Sequence, residues 1–291
     1  MVNWHKLGVG TIWFGRRWPP SNPTWTDPSQ SEVDAHLESA FALTDSGGGG
    51  AEGQGSTDIT GGSTQGRQGN SGRPRLVLDT AEGYGLSEER LGAWLLGEGD
   101  ERSAHGAVVC SKFGEAFDAA SGETSVDLSA AAAERVFAKS ARLLGRVDVF
   151  YSHVTSQLSA EQAHAALADE AMGAALRRLK EESGCLLGCS LSHLSVLEEA
   201  LAQSSPWLEM LDVLQLSAIG ALQRPDLVEA VAARGLAVVV NSPVRGISRM
   251  ANTEATPEEV VCKLLAMTGV ATVLTGTRTH LADMFSYAAV E

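Results

Sequence analysis

Along most of this chain, short aliphatic runs alternate with longer stretches in which apolar residues recur every three or four positions. The first pattern predicts buried strands and the second predicts amphipathic helices. Strand-length runs fall at 7–10, 76–79, 107–112, 147–153, 185–190, 213–215, 237–241 and 271–275. Helical periodicity covers 31–44, 88–96, 130–144, 160–182, 195–203, 225–233, 257–267 and 281–289. Strict alternation of eight strands with eight helices predicts an α/β fold whose parallel sheet closes as a (β/α)8 TIM barrel. An open doubly wound sheet is the alternative. The first strand, however, does not run into a helix through G-x-G-x-x-G, the nucleotide fingerprint of that fold.

One stretch breaks the rhythm. Between residues 46 and 72, 11 of 27 residues are Gly and Ile59 is the only large aliphatic. Such a segment cannot bury enough apolar surface to offset its ordering entropy, so we expect a disordered Gly-rich insertion between the first helix and the second strand. Lengthening a connection from about 4 to about 27 residues costs only about 1.7 kcal/mol in closure entropy. In a barrel, a helix-to-strand loop lies on the face opposite the active site. The expected organisation is therefore a single barrel over residues 1–291, with 46–72 as a flexible insertion within it.

The length of 291 residues suits such a barrel, which typically needs about 250. A formal net charge of -14 argues against a sequence-independent grip on nucleic acid or on an anionic membrane surface. No run approaches the roughly 18 apolar residues of a membrane span, and the expected location is cytoplasmic. Cys110, Cys185, Cys189 and Cys262 show no Cys-x-x-Cys pair, so they read as reduced thiols with no metal site.

The candidate chemistry lies at consecutive strand ends. Asp79 closes the second strand, Lys112 the third and His153 the fourth, while Tyr84 stands in the turn beyond Asp79, before a helix that Ser87 is placed to cap. In a barrel these ends are neighbours on the functional face. A tyrosine titrates near pH 10 and donates a proton poorly until a nearby cation favours its phenolate. Lys112 can supply that charge, Asp79 can serve as its counter-ion, and His153 can hydrogen-bond and orient a carbonyl. The set suits protonation of a carbonyl oxygen as hydride arrives at the carbon. Arg245, Arg249 and Arg278 follow the seventh and eighth strands, where barrels commonly bind phosphate. They form a local basic patch in an acidic chain.

These motifs resemble those of the aldo-keto reductases. Leu7-Gly-Val-Gly-Thr-Ile-Trp-Phe-Gly15 is similar to the family's first strand, and Asp79-Thr-Ala-Glu-Gly-Tyr-Gly-Leu-Ser-Glu-Glu-Arg-Leu-Gly92 to its signature around the catalytic Asp and Tyr. Val109-Cys-Ser-Lys112 and Asp148-Val-Phe-Tyr-Ser-His153 resemble the strands bearing the catalytic Lys and His. The resemblance implies reduction of small aldehydes or ketones with NADPH, NADH being the other candidate, and no metal. Tyr84 would be the general acid, Lys112 would lower its pKa, Asp79 would position Lys112 and His153 would orient the carbonyl. Cofactor contacts are implied for Gly10, Thr11 and Asp79, for Ser190 and Gln215 at the nicotinamide carboxamide, for Ser242, Pro243 and Arg245 over the pyrophosphate, and for Gly276, Thr277 and Arg278 at the adenosine phosphate.

The chain departs from the family pattern at several places, among them Met284, where the family often has an Asn near the adenine. Leu191 replaces an Asn that bonds the carboxamide, and Asn241 replaces a Tyr that stacks on the nicotinamide ring. A substrate pocket is expected around Trp13 and Phe14, with Trp18 or Trp25 nearby. The alternative to a reductase is a nucleotide-binding regulatory subunit of the same fold with slow or no turnover.

Overall fold

The computed structural model describes residues 4–17, 25–46, 75–97, 107–243 and 256–276. Its strands are β1 (Trp4–Gly10), β2 (Arg75–Asp79), β3 (Ala107–Phe113), β4 (Glu115–Phe117), β5 (Thr124–Val126), β6 (Val149–Val154), β7 (Leu186–Leu191), β8 (Val213–Ser217), β9 (Ala237–Asn241) and β10 (Val270–Thr275). Eight of them close into a barrel in the order β1-β10-β9-β8-β7-β6-β3-β2. Every neighbouring pair around it is parallel. The (β/α)8 class expected from the pattern is the class observed.

Side-chain alternation along the strands explains how the barrel carries a polar site above an apolar floor. Val77, Cys110, Tyr151, Val213 and Val239 pack together as one cluster. Two positions further along the same strands stand Asp79, Lys112, His153, Gln215 and Asn241. A period of two keeps these on the same face as the apolar cluster, so the C-terminal mouth is lined by polar ends. Tyr151 fills the floor beside Gly188, where an added Cβ would stand 2.4 Å from the Tyr151 ring. The intervening residues, among them Leu78, Val109, Phe150, Leu187, Leu214 and Val240, belong to the larger core between strands and helices. Each such side chain contributes about 1.5–3 kcal/mol by its burial.

Helix boundaries follow local chemistry. The helix Ala130–Leu144 starts where Ser129 accepts from Ala132 N, and stops at Gly145, whose φ is 75°. Helix Pro257–Leu265 carries a full capping box from Thr256 and Glu259. The expected helix over 160–182 is instead two, Ala160–Leu167 and Glu170–Ser183, because the Asp169 carboxylate accepts from Met172 N and starts a second helix. The antiparallel hairpin of β4 and β5 was not expected; it pairs Glu115 with Val126 and Phe117 with Thr124. Its strands have three residues each, too few to show periodicity. The expected final helix, 281–289, and residues 47–72 of the insertion lie outside the described residues. Among the described residues no helix is long and apolar enough to cross a membrane.

Candidate active site

The strand-end residues singled out in the sequence meet at the mouth of the barrel. Lys112, fully buried, donates from Nζ to Asp79 Oδ2 at 2.5 Å and to the Thr80 carbonyl at 2.8 Å, and lies 3.4 Å from Tyr84 Oη. The ammonium is also 4.8 Å from the Tyr84 ring centroid. His153 closes the group, its ring edge-on to Tyr84 at 6.2 Å between centroids. Nδ1 of His153 is buried and has no hydrogen-bond partner among the described residues.

The network continues from Asp79 into the residues implied for cofactor binding. Gln215 Nε2 donates to Asp79 Oδ1 at 2.9 Å. Its Oε1 accepts from Ser190 Oγ at 2.8 Å and from Asn241 Nδ2 at 3.1 Å. Tyr84, Lys112, Asp79, Gln215, Ser190 and Asn241 thus form one connected set across β2, β3, β7, β8 and β9. Leu191 lies in the core beside Ser190 and offers no hydrogen bond. Asn241, two strands away, provides an amide to the same cluster.

Electrostatics assigns protonation states. Burial alone would pull the Lys112 ammonium down, but the Asp79 carboxylate and Tyr84 beside it hold its pKa above the usual lysine value, so it stays charged. Burial raises the Tyr84 phenol above its ordinary value, outweighing the pull of Lys112 in the other direction. Lys112 does act downward, as expected, but desolvation of the phenolate exceeds the stabilisation that one lysine, itself paired to Asp79, provides. His153 is held down to about 3, first by burial and then by the positive charges of Lys112 and Arg16. It is therefore a neutral imidazole at neutral pH.

The turn bearing Tyr84 is a 3-10 segment, Glu82–Tyr84, ended by Gly85 at φ 63°, a region that glycine occupies without steric cost. Ser87 does not cap the following helix, Ser87–Leu95, as expected. Its hydroxyl donates to the Thr11 carbonyl at 3.0 Å and shares hydrogen bonds with the Thr11 and Thr80 hydroxyls. Thr11 is buried and donates through Oγ1 and N to the Asp79 carbonyl, at 2.9 and 3.0 Å. Both groups are thereby committed to holding Asp79.

Gly10 and Gly276 adjoin across the β1–β10 edge, a Cβ at Gly10 falling 4.0 Å from Gly276 Cα. Ser242 follows β9 in a left-handed conformation, φ 57°, unusual for a residue with a side chain, and Pro243 comes next. Arg245, Arg249, Thr277, Arg278 and Trp18 lie outside the described residues. Phe14 is fully buried and packs edge-on with Trp13 and His36 of helix Gln30–Ser46. Its enclosure places it in the packing layer, a correction to the expected pocket wall. Trp13 is 6% exposed, with Trp25 Nε1 donating to its carbonyl, so it too belongs mostly to the core. Arg16 and Glu115, unmarked in the sequence, form a buried ion pair beside the Tyr84 turn, 3.2 Å apart. Only the opposite charges, each one residue past a glycine, hint at them.

A polar cluster of this kind at the C-terminal mouth of a parallel barrel defines a (β/α)8 protein with an enzyme-type site. No protein-family model and no curated protein sequence matches the chain. Solved structures do. One is a putative aldo-keto reductase from Pseudomonas aeruginosa, 25% identical, with a TM-score of 0.66, covering 98% of this chain and 90% of that one. Another is an aldo-keto reductase from Bacillus halodurans in its holo form, 18% identical, TM-score 0.62, covering 98% and 87%. A glycerol dehydrogenase from Gluconobacter oxydans is 14% identical, with a TM-score of 0.62 over 99% and 87%. These likenesses, over almost the whole chain, show that its fold is the one these solved structures share.

The residues at the mouth fit a nicotinamide group. A primary carboxamide offers one acceptor and two donor hydrogens, and the Ser190 hydroxyl with the Gln215 and Asn241 amides is a donor and acceptor set of matching chemistry.

Proposed function

We propose that this protein reduces small aldehydes or ketones to alcohols with NADPH, or with NADH, Tyr84 supplying the proton. The observation that carries the reading is the position of Lys112 Nζ, bonded to Asp79 and within 3.4 Å of the Tyr84 hydroxyl. When bound, the nicotinamide cofactor supplies the hydride that reaches the carbonyl carbon. The chain's own residues manage the other oxygen-side half of the reaction. Tyr84, with its raised pKa, is fully protonated at neutral pH and has a proton to give. As that proton passes to the carbonyl oxygen, the phenolate left behind faces the Lys112 ammonium, which favours it. Asp79 and the Thr80 carbonyl keep the ammonium at that place. His153, neutral, donates a hydrogen bond that orients the carbonyl. Ser190, Gln215 and Asn241 would hold the carboxamide, and Gly10, Gly276, Ser242 and Pro243 border the same mouth; Arg245, Thr277 and Arg278 complete the proposed cofactor contacts by sequence.

The test is carbonyl-dependent loss of NADPH absorbance by the purified protein over a panel of aldehydes and ketones. Tyr84→Phe is expected to lower kcat by about 10²- to 10⁴-fold, the usual contribution of a positioned acid. Full activity in that variant would overturn the mechanism, because Phe has no proton to give.

A further inference from the structure

Arg16, which follows the short helix Ile12–Gly15, is 5% exposed and touches three other described groups at once. Its Nη1 donates to the Gly83 carbonyl at 2.7 Å. Its Nη2 lies 3.2 Å from Glu115 Oε1, whose side chain is 7% exposed. The guanidinium carbon sits 4.6 Å from the centre of the Phe117 ring. Glu115 and Phe117 are alternate residues of β4, so one short strand presents both an anion and an aromatic face to the same guanidinium. Gly83 is the middle residue of the turn that carries Tyr84, and it packs directly on this pair: an added Cβ would be 2.8 Å from the Glu115 carbonyl. On its other side the turn abuts Gly15, where a Cβ would be 2.0 Å from the Tyr84 carbonyl.

A buried ion pair is a poor stability device, since apolar residues of similar volume often do as well or better. Arg16 and Glu115 are nevertheless enclosed together, against the one turn whose placement the proposed chemistry depends on. We propose that Arg16 and Glu115 are positioning residues that clamp the Tyr84 turn against Lys112 and set the charge environment in which Tyr84 gives up its proton. The inference rests on Tyr84 being the proton donor. It adds a second buried ion pair, outside the strand-end cluster, to the machinery of that site.

The surroundings of Tyr84 are consistent with this role. The charged and titratable groups facing Tyr84 and its turn are Asp79 from β2, Lys112 from β3, Glu115 from β4, His153 from β6 and Arg16 after the helix Ile12–Gly15. From the helix Ala130–Leu144, Arg135 and Lys139 pair with the neighbouring Glu82, at 2.8 and 3.4 Å. On the helix Ser87–Leu95, Glu88 accepts from Ser111 and Ser140, and Arg90 donates to Asp27 and to the Phe14 carbonyl, both turned away from Tyr84. Among them Glu115 disfavours the phenolate of Tyr84, and Arg16 disfavours protonation of His153. The pair therefore acts on both residues flanking the proposed substrate carbonyl, with opposite charges.

The decisive measurement is made on the protein without cofactor or substrate. Labelled with 3-fluorotyrosine, whose phenol titrates at lower pH than tyrosine, the three tyrosines give separate ¹⁹F resonances, and Tyr84→Phe identifies the one of interest. In Glu115→Gln, which keeps volume and an acceptor for Arg16 but loses the charge, the Tyr84 midpoint is expected to fall. An unchanged midpoint overturns the proposal. In Arg16→Lys the charge remains, but one ammonium cannot replace the fork that reaches Gly83 and Glu115 together. With the fold retained by near-UV circular dichroism, kcat is expected to drop about tenfold with KM nearly unchanged, a loss confined to the reacting geometry. Wild-type kcat in Arg16→Lys also overturns it, and this variant decides the matter if Glu115→Gln does not fold. The titration needs no turnover, so a shifted Tyr84 midpoint in a protein that reduces no carbonyl would refute the proposed function and leave the clamp standing.

Discussion

Replacing Asp79 by Asn tests the centre of the network, and the structure dictates why so small a change should be severe. Both carboxylate oxygens accept: Oδ2 from Lys112 at 2.5 Å and Oδ1 from Gln215 Nε2 at 2.9 Å. An asparagine accepts through one atom only, so whichever way its amide turns, its NH2 group faces another donor. Gln215 cannot relieve this by flipping, since its own Oε1 already accepts from Ser190 and Asn241. The Lys112 ammonium is left buried without a counter-ion. Lys112 and Asp79 are 0% and 5% exposed, so solvent screening offers little relief, and removing one partner of such a pair costs about 3–5 kcal/mol. Lys112→Met is expected to cost a similar amount for the mirror-image reason. The double variant Asp79→Asn, Lys112→Met removes both charges, and should recover about 2–3 kcal/mol relative to the sum of the single losses. Urea unfolding followed by far-UV circular dichroism measures all four corners of this cycle. Additivity within about 0.5 kcal/mol, or a single-variant cost below about 1 kcal/mol, would refute the reasoning that the pair is an obligate buried unit.

The remaining predictions address separate features. His153 is neutral in the folded protein, with a pKa of about 3 against 6.5 for the free side chain. The unfolded chain therefore binds more protons between those values, and this group's contribution to stability is intact above pH 6.5 and is lost as pH falls toward 3. His153→Gln should show a shallower decline of the urea midpoint with acidification over that window; identical slopes would disprove a depressed His153. Gly188→Ala places a methyl group 2.4 Å from the Tyr151 ring and should destabilise by about 1–3 kcal/mol through overpacking. Combining it with Tyr151→Leu should recover part of the loss. Ser190→Ala removes a hydroxyl bonded to Gln215 Oε1 and is expected to weaken NADPH binding by about 2- to 12-fold, the worth of one neutral hydrogen bond. Quenching of tryptophan fluorescence by the nucleotide reads that change, and an unaltered Kd would remove Ser190 from the cofactor contacts.

Much of this protein was legible from its chain alone because the relevant signals are local. Strand and helix periods repeat over five to fifteen residues, and their alternation determined the barrel. Asp79, Lys112 and His153 were recognisable because each closes a strand, and in a parallel barrel neighbouring strand ends converge whatever the intervening sequence. What escaped was set by contacts between distant segments. Ser87 looks like a helix cap, yet its hydroxyl is drawn to Thr11, 76 residues away. Phe14 and Trp13 read as walls of a substrate pocket, yet both pack edge-on against His36 of the helix Gln30–Ser46. The Tyr84 pKa depends on a balance of burial against a lysine already paired, which no spacing rule contains. Arg16 follows a short helix and Glu115 opens β4, about a hundred residues further along the chain, and only closure of the barrel brings their charges together beside the Tyr84 turn. Period and strand order thus determined which residues share the mouth of the barrel, because backbone geometry repeats. Tertiary packing alone decided how those residues pair and which proton states they hold, because desolvation and Coulomb terms depend on everything folded around them.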